Sequence, residues 1–188
     1  ILVSGNKFVT IANGLTQNLQ KSNMQNAVKP QPIHRLDYPT SGLLLIGKTS
    51  TAIMALSELF KTKEIQKTYH AICMGKMNNS GIIDKIINNK ISLTEYQVLK
   101  SVTSTRFEYL NLLKLSPKTG RKHQLRIHLS SIGNQILGDK EYGNSALISK
   151  GNGLFLHASS LKFIHPFTNK EILVSSKLPK KFTRIFPS

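Results

Sequence analysis

Two pairs of strand-like segments, each joined by a short turn, constrain the fold of this chain most. Residues 93–102 and 106–115 both have strand composition and are connected by a turn rich in Ser and Thr. Residues 154–164 and 171–175 are connected by a Pro-Phe-Thr-Asn turn at 166–169. This spacing is typical of β-hairpins, in which neighbouring strands run antiparallel. The sequence therefore predicts an antiparallel sheet.

Two helices are predicted beside this sheet. In residues 51–63 apolar side chains recur every three or four positions, and Thr49 or Ser50 can cap the first turn. Residues 125–132 fit a helix that ends at Gly133, but apolar residues also alternate there as in a strand; we favour the helix. Because regular βαβ alternation is missing, we predict an α+β fold with a central mixed, mostly antiparallel sheet.

The composition of five further segments predicts whether each is a strand or a loop. We predict an edge strand at 8–11, a loop at 16–32, a buried strand at 43–46, a strand at 67–75, and a loop with a short apolar piece at 76–91. The strand at 67–75 contains the one cysteine of the chain, which we expect to be a small core residue. With 188 residues, the chain is long enough to bury a substantial core in one domain.

The charge of the chain is strongly unbalanced. Twenty-six Lys and Arg residues outnumber nine Asp and Glu residues, which gives a formal net charge of +17. This excess is typical of proteins that bind a polyanion, and nucleic acid is a better candidate than a membrane surface. Composition alone also allows a merely soluble basic protein. A single cysteine excludes an internal disulfide and fits a reducing compartment. No segment reaches the roughly 18 apolar residues of a membrane span.

One stretch, residues 34–45 with the sequence HRLDYPTSGLLL, combines ionisable groups with turn signals. Pro39 and Gly42 interrupt regular structure, so we predict that Asp37 lies on a turn leading into an apolar segment. Catalytic groups are often presented on such a turn beside a rigid strand. Because acids are scarce in this chain, a carboxylate two residues after Arg35 is a candidate catalytic group.

This stretch resembles the catalytic motif of the RluA-type pseudouridine synthases, which isomerise uridine in RNA to its C-glycoside. Further stretches match that family in the same order: KTYHA at 67–71, TGRKHQLRIHL at 119–129, GDKEYG at 138–143, and LHA at 156–158 followed by HPFT at 165–168. The resemblance implies the central mixed sheet of these enzymes, with the active site in a cleft across it. We expect no cofactor, which fits a redox-neutral isomerisation.

The resemblance also implies roles for three residues. Asp37 is the catalytic carboxylate, which attacks C1′ or C6 of the nucleotide or assists departure of the base. Arg126 pairs with this aspartate, and Tyr69 packs on the target base and accepts its C5 proton. From the residues alone, a structural Asp–Arg pair and a half-buried strand tyrosine stay open as alternatives.

Four further residues are candidates for RNA binding. Arg35 can fill the gap left by an extruded base or hold phosphates, because a planar cation serves both purposes. Arg121 and Lys122 follow Gly120 in a turn and suit phosphate contacts, with a solvated basic turn as the alternative. His123 is grouped with them as an RNA-binding candidate.

The remaining histidines are predicted to have structural roles. We expect His34 to pack or hydrogen-bond within its turn. His123 and His128 invite a metal site, but five positions apart they share a helical face poorly, and no Cys, Asp or Glu clusters near them in the sequence. We therefore expect no metal, and hydrogen bonding around the Asp37–Arg126 pair instead. Residues 138–143 lack the lysine and serine of a phosphate loop and are predicted to form a structural turn.

One departure from the family leaves a second function open. Residues 12–15, ANGL, stand where the family usually has an Asn-Lys-Pro-x-Gly turn, so a catalytically silent RNA-binding or ribosome-assembly protein is the alternative. We expect residues 1–188 to form one catalytic domain without a separate N-terminal RNA-binding domain. The expected partner is ribosomal or transfer RNA, with no membrane and no small-molecule cofactor, and the expected state is a monomer. The expected location is intracellular: the cytoplasm, or a mitochondrion or other organelle in a eukaryote.

Overall fold

A seven-stranded sheet forms the centre of the computed structural model, which describes residues 10–144 and 153–187. Within these residues the helices are α1 (Ile11–Asn18), α2 (Ser50–Lys61), α3 (Gln124–Ser131) and α4 (Lys180–Thr183). The strands are β1 (Ala27–Pro32), β2 (Ser41–Gly42), β3 (Ile46–Thr49), β4 (Gln66–Met74), β5 (Ser80–Asp84), β6 (Leu93–Ser104), β7 (Glu108–Pro117), β8 (Leu156–Ile164) and β9 (Glu171–Ser175).

The strand order of the central sheet is β2-β8-β4-β7-β6-β5, and β9 pairs with β8 outside this path. Its pairings are antiparallel except for the short parallel pairing of β2 with β8. Strands β1 and β3 form a separate antiparallel pair. The predicted α+β fold with a mixed, mostly antiparallel sheet is confirmed.

Both predicted hairpins are present, since β6 pairs with β7 and β8 pairs with β9. Helix α2 begins as predicted: the Thr49 hydroxyl accepts a hydrogen bond of 3.2 Å from the backbone N–H of Ala52. The segment with two possible structures is a helix, α3. Gly133 follows it with a φ of 82°, a conformation that glycine adopts at little steric cost.

Strand β4 carries the core at one end and opens towards solvent at the other. Ala71, Ile72 and Cys73 are fully buried and pack with Leu113 and Leu115 of β7. The predicted core position of Cys73 is therefore confirmed. The first half of β4, by contrast, is only partly buried, so a rigid strand presents its side chains at an accessible edge of the core.

Two predictions near the N-terminus are wrong in part. The strand predicted at 8–11 cannot include Ile11, because α1 begins there with Thr10 as its cap; the segment up to residue 9 lies outside the described residues. The loop predicted at 16–32 contains the end of α1 and all of β1. Two prolines made this segment look irregular, but a two-stranded pair has free edges that tolerate proline.

Two further predictions are only partly correct. The strand predicted at 43–46 begins at Ile46, as β3, because the leucines before it contribute half-buried side chains rather than a strand ladder. The loop predicted at 76–91 contains the strand β5. Among the described residues, no helix has the length and apolar character needed to cross a bilayer.

Candidate active site

The predicted turn around Asp37 is present and compact. The backbone N–H of Thr40 donates a hydrogen bond of 2.8 Å to the carbonyl of Asp37, which closes the turn. Leu36 points into the core with 8% exposure, whereas the Asp37 carboxylate stays partly accessible. The turn therefore anchors one side chain and presents the next.

Strand β8 holds this turn in place from behind. The Ser41 hydroxyl lies 2.9 Å from Nδ1 of His157, and Gly42 pairs with Ala158. Gly42 has a φ of 118°, and a Cβ there would lie 2.2 Å from the carbonyl oxygen of Ala158. Only glycine fits this close approach of two backbones, so the Ser-Gly pair determines where the acidic turn lies.

Tyr69 meets the same residue of β8 from the other side. Ala158 pairs with Gly42 in β2 and with Tyr69 in β4. The β4–β8 register shifts beside this contact, where Thr68 faces Ser160 and Ser159 is left over as a bulge. Bulges of this kind re-aim side chains next to active sites. Strand β8 thus brings Gly42, just after the acidic turn, and Tyr69 of β4 to either side of Ala158.

Asp37 and Tyr69 both line a cavity of about 600 Å³. Burial, and after it the charge of Asp37, raises the pKa of the Tyr69 hydroxyl to about 12. The hydroxyl therefore stays protonated at neutral pH. The tyrosine is half-buried, so its ring forms part of the wall and is accessible from the cavity.

The cavity is rich in cations. Asp37 is the one carboxylate among the described lining residues. The basic residues that line the cavity are Arg35, Lys61, Lys63, Lys67, Arg121 and Lys122. Three of the four RNA-binding candidates, Arg35, Arg121 and Lys122, thus lie at the cavity that holds Asp37.

The predicted ion pair between Arg126 and Asp37 is wrong. Arg126 instead binds Asp139 through two hydrogen bonds of 2.7 Å, and its Nη2 also lies 3.1 Å from Glu141. Its guanidinium lies over the ring of Tyr142 at 4.8 Å. The planar guanidinium thus binds one carboxylate of the neighbouring loop in a fork geometry.

Arg126 nevertheless contributes to the potential around Asp37. Burial lowers the pKa of Arg126, but the carboxylates of Asp139, Glu141 and, last, Asp37 outweigh burial and hold the pKa above its usual value. Asp37 therefore acts on Arg126 by charge without direct contact. Arg126 is only 4% exposed, so its cation is a fixed part of the protein interior behind the cavity.

His123 occupies the position next to Asp37 that was expected for Arg126. Its Nε2 lies 3.7 Å from Oδ1 of Asp37, while its Nδ1 lies 2.9 Å from the Tyr142 hydroxyl and 3.3 Å from Glu141. Its backbone has a φ of 55°, an uncommon conformation for a residue other than glycine. Its grouping with the RNA-binding residues stays a prediction. Its hydrogen bond with the Tyr142 hydroxyl agrees with the other predicted role, hydrogen bonding near the acidic turn.

His128 and His34 have the structural contacts of core and turn residues. His128 is fully buried against Ser92 and Thr94 at 3.0 and 2.9 Å, so its predicted position beside Asp37 is wrong. His34 accepts a hydrogen bond of 3.1 Å from the N–H of Leu45, which agrees with its predicted role in the turn. Burial lowers the pKa of His34 to about 4, so the ring is neutral at pH 7.

Gln124 fixes the basic turn against the sheet. Its carbonyl oxygen accepts hydrogen bonds from the Thr119 hydroxyl at 2.7 Å and the Arg121 N–H at 3.0 Å. Its amide donates to the Leu93 carbonyl and the Thr94 hydroxyl, both at 3.0 Å. A buried amide with every group satisfied is a rigid connector, so Arg121 stands on a defined wall of the cavity.

Two relevant residues escaped the sequence analysis. Asp139 was assigned to a structural turn, which is correct, but it also neutralises Arg126; its position inside a matched motif was the available signal. Lys67 also begins a matched motif, and the structure places it in the cavity wall two residues before Tyr69.

Comparison with known proteins agrees with this geometry. The sequence profile of the family described as RNA pseudouridylate synthase matches residues 2–131, so the chain belongs to that family. It is 38% identical over 170 residues to the ribosomal large subunit pseudouridine synthase C of Rickettsia bellii, with 81% of this chain and 55% of that protein covered. The chain thus spans about half the length of the curated relatives of this type.

Other relatives match over more of their length. The tRNA pseudouridine synthase C of Vibrio parahaemolyticus is 33% identical over 187 aligned residues, with 82% of this chain and 74% of that protein covered. The solved structure of human RNA pseudouridylate synthase domain containing 4 superposes with a TM-score of 0.77 at 26% identity, covering 97% of this chain and 84% of that one. The fold implied by the sequence motifs is confirmed.

Proposed function

We propose that this chain isomerises uridine to pseudouridine in RNA, with Asp37 as the catalytic carboxylate. The supporting observation is that Asp37 and Tyr69 line one cation-rich cavity, where Ala158 pairs with Gly42, just after the acidic turn, and with Tyr69. Six basic side chains line this cavity, which suits a polyanionic strand. Membership of the RNA pseudouridylate synthase family supports the same reaction.

The reaction moves the ribose from N1 to C5 of the base. The N1–C1′ bond breaks, the base turns, a C5–C1′ bond forms, C5 loses its proton and N1 gains one. An ionised Asp37 can attack C1′ or C6, or stabilise the sugar while the base departs, and all three routes place the carboxylate beside the nucleotide. Because the turn leaves the carboxylate partly accessible, it can approach a nucleotide that leaves its strand.

Tyr69 is proposed to hold the base. An accessible aromatic ring beside Asp37 offers a stacking surface, which is worth about 1–3 kcal/mol per base. The pKa of its hydroxyl is raised to about 12, so this group can take the C5 proton only if it passes its own proton on. Stacking is therefore its primary proposed role.

His123 and Arg126 are proposed to stabilise the charge of Asp37 at different distances. His123 approaches the carboxylate directly, and Arg126 acts from behind it while bound to Asp139. A nearby cation such as Arg126, or an N–H group that faces a carboxylate, favours the ionised form of that carboxylate, which each of the three routes requires. Arg35, Arg121 and Lys122 are proposed to bind the RNA backbone around the cavity.

The proposed substrate is ribosomal or transfer RNA. One relative is named a ribosomal large subunit pseudouridine synthase and another a tRNA pseudouridine synthase, so the proposal includes both classes of RNA. We further propose a monomeric catalytic domain over residues 1–188 that uses no cofactor. An RNA substrate implies work inside a cell, in the cytoplasm or an organelle.

Substitution of Asp37 tests this proposal. Wild-type protein and the Asp37→Ala variant are incubated with ribosomal and transfer RNAs transcribed in vitro, which contain no pseudouridine. Pseudouridine is then mapped by carbodiimide modification and reverse transcription. We expect new stops with wild type and none with Asp37→Ala, while the variant keeps its fold and its RNA affinity. Asp84→Ala, at an exposed position on β5, is the matched control and should stay active. Pseudouridine formation by Asp37→Ala would refute the assignment.

The same assay distinguishes the proposed enzyme from the alternative, a catalytically silent RNA-binding or ribosome-assembly protein. It was motivated by residues 12–15, which lie in α1; none of the described residues of this helix lines the cavity. None of the described residues that line the cavity favours a protein without catalytic activity. A wild-type protein that binds RNA but produces no stop in any RNA would establish the alternative.

A further inference from the structure

Lys67 is a cation of the cavity wall that the reaction outlined above does not use. It lies on β4 two residues before Tyr69, so the period of the strand directs both side chains to the same face. Both line the cavity. The two side chains are separated along the strand by roughly 6–7 Å, which is comparable to the spacing of base and phosphate within one nucleotide.

The ammonium of Lys67 has two neighbours in the cavity wall, Gly120 and His34. On one side a Cβ at Gly120 would stand 3.7 Å from Nζ, so the absence of a side chain there leaves room beside the cation. His34, which also lines the cavity, is a second neighbour: its pKa is lowered mainly by burial and also by the charge of Lys67. A neutral ring and a glycine backbone offer this cation no opposing charge.

Among the described cations of the cavity, Lys67 alone combines partial burial with the lack of a bound acceptor. Arg35, Lys63 and Lys122 are exposed to solvent, Lys61 is exposed and pairs with Glu58, and Arg121 donates to the Ile91 carbonyl. Lys67 is half-buried, and within residues 10–144 and 153–187 no carboxylate or other acceptor is bound to it.

An unpaired cation held away from water destabilises a folded protein unless a ligand neutralises it. Burial lowers the pKa of Lys67, which reflects the same unfavourable environment for the charge. A compact ammonium with space beside it suits the oxygen atoms of a phosphodiester. The nearest phosphate of a nucleotide stacked on Tyr69 can reach this position.

We propose that Lys67 binds a backbone phosphate of the nucleotide whose base stacks on Tyr69. This inference rests on the proposed RNA substrate. It assigns to Lys67 a substrate-positioning role: the ammonium fixes the sugar–phosphate while Asp37 acts on the sugar. It also explains why the protein retains a lysine, rather than an apolar residue, in a half-buried wall position.

The salt dependence of RNA binding tests the proposal. On a single strand each phosphate contact contributes about 0.7 to the slope of log affinity against log salt. Fluorescein-labelled pentauridylate is the probe, because its few phosphates make one contact a large share of the total. Anisotropy titrations over a range of KCl concentrations are made with wild type, Lys67→Met, Lys67→Arg and Lys76→Met. Lys76 is exposed beyond the far end of β4, roughly 30 Å away along the strand, and serves as the matched control.

We expect the slope for Lys67→Met to be smaller by about 0.7, so that its affinity deficit relative to wild type shrinks roughly fivefold for each tenfold rise in salt. Lys67→Arg and Lys76→Met should keep the wild-type slope. Thermal unfolding of the free proteins gives a second readout: Lys67→Met should melt at or above the wild-type temperature, because an unpaired cation is removed.

If Lys67→Met keeps the salt slope of the wild type, the proposal is overturned. If it keeps that slope and also melts at a lower temperature than the wild type, Lys67 is a packing residue. The outcome is separate from that of the Asp37 assay. A reduced slope in a protein that forms no pseudouridine leaves Lys67 as a phosphate site of an RNA-binding protein. An unchanged slope in an active enzyme refutes only the role of Lys67.

Discussion

The buried pair between Arg126 and Asp139 gives a quantitative prediction about stability. Arg126 is 4% exposed, and the Asp139 side chain is 1% exposed. The carboxylate of Asp139 accepts two hydrogen bonds from Arg126 and further ones, at 3.0 Å each, from the backbone N–H groups of Glu141 and Tyr142. Removal of one partner therefore leaves the other without a buried counter-charge, although Arg126 keeps the exposed carboxylate of Glu141 at 3.1 Å.

We expect Asp139→Asn and Arg126→Met each to reduce the free energy of unfolding by about 3–5 kcal/mol, the usual cost of breaking a buried pair. For a chain of this length, about 2–4 °C of melting temperature is lost per kcal/mol, so the midpoint should fall by roughly 6–20 °C. The double variant Arg126→Met/Asp139→Leu should lose less than the two single losses added together, because it leaves no unpaired charge.

Urea unfolding followed by circular dichroism measures these losses. The matched control is Glu141→Gln, which removes the exposed partner of Arg126; its carboxylate is 53% exposed, and we expect a change of about 0–1 kcal/mol. Losses below about 1 kcal/mol for both Asp139→Asn and Arg126→Met would refute the reasoning, because such losses are typical of solvent-exposed ion pairs.

The pH dependence of stability follows from the same pair. Burial raises the pKa of Asp139, but the hydrogen bonds from Arg126 and from the backbone outweigh it and hold the pKa below its usual value of 3.8. The stabilisation is therefore complete above the unfolded-state pKa and is lost as the pH falls through the lower folded-state pKa. The difference in unfolding free energy between wild type and Asp139→Asn should accordingly be constant near neutral pH and shrink below about pH 4.

Three further predictions concern other parts of the fold and site. Gly42→Ala should unfold at clearly lower urea than Gly133→Ala, because both glycines have positive φ but only Gly42 lies against a neighbouring backbone; equal losses would refute the clash. Tyr69→Ala should weaken RNA binding by about 1–3 kcal/mol whereas Tyr69→Phe should bind normally, and normal binding by Tyr69→Ala would exclude stacking. Cys73 should resist iodoacetamide in the native protein and react readily in urea, because burial raises the pKa of its thiol; rapid native labelling would contradict its core position.

Local patterns were sufficient for much of the fold. The cap at Thr49, the stop at Gly133 and the turn at Asp37 were all predicted from neighbouring residues, because caps and turns depend on hydrogen bonds within a few positions of the chain. Strand β4 and both hairpins followed from alternation and turn spacing for the same reason.

Partners distant in the sequence were decided by packing. Strand β1 contains two prolines and has loop-like composition, and only its pairing with β3 makes it a strand. Asp37 and Tyr69 converge because Ala158, far along the chain, pairs with elements on both sides of it. No local pattern carries that information.

The choice of partner for Arg126 shows the same division. Motif resemblance paired Arg126 with Asp37, whereas the fold gives Arg126 the carboxylate of Asp139 and places His123 beside Asp37. A guanidinium binds the carboxylate that meets its planar fork without strain, and that depends on loop geometry in three dimensions. The amino-acid sequence thus indicated some of the charged groups around the cavity, such as Asp37 and Arg121. The packed structure added others, such as Lys67, and decided which of them touch.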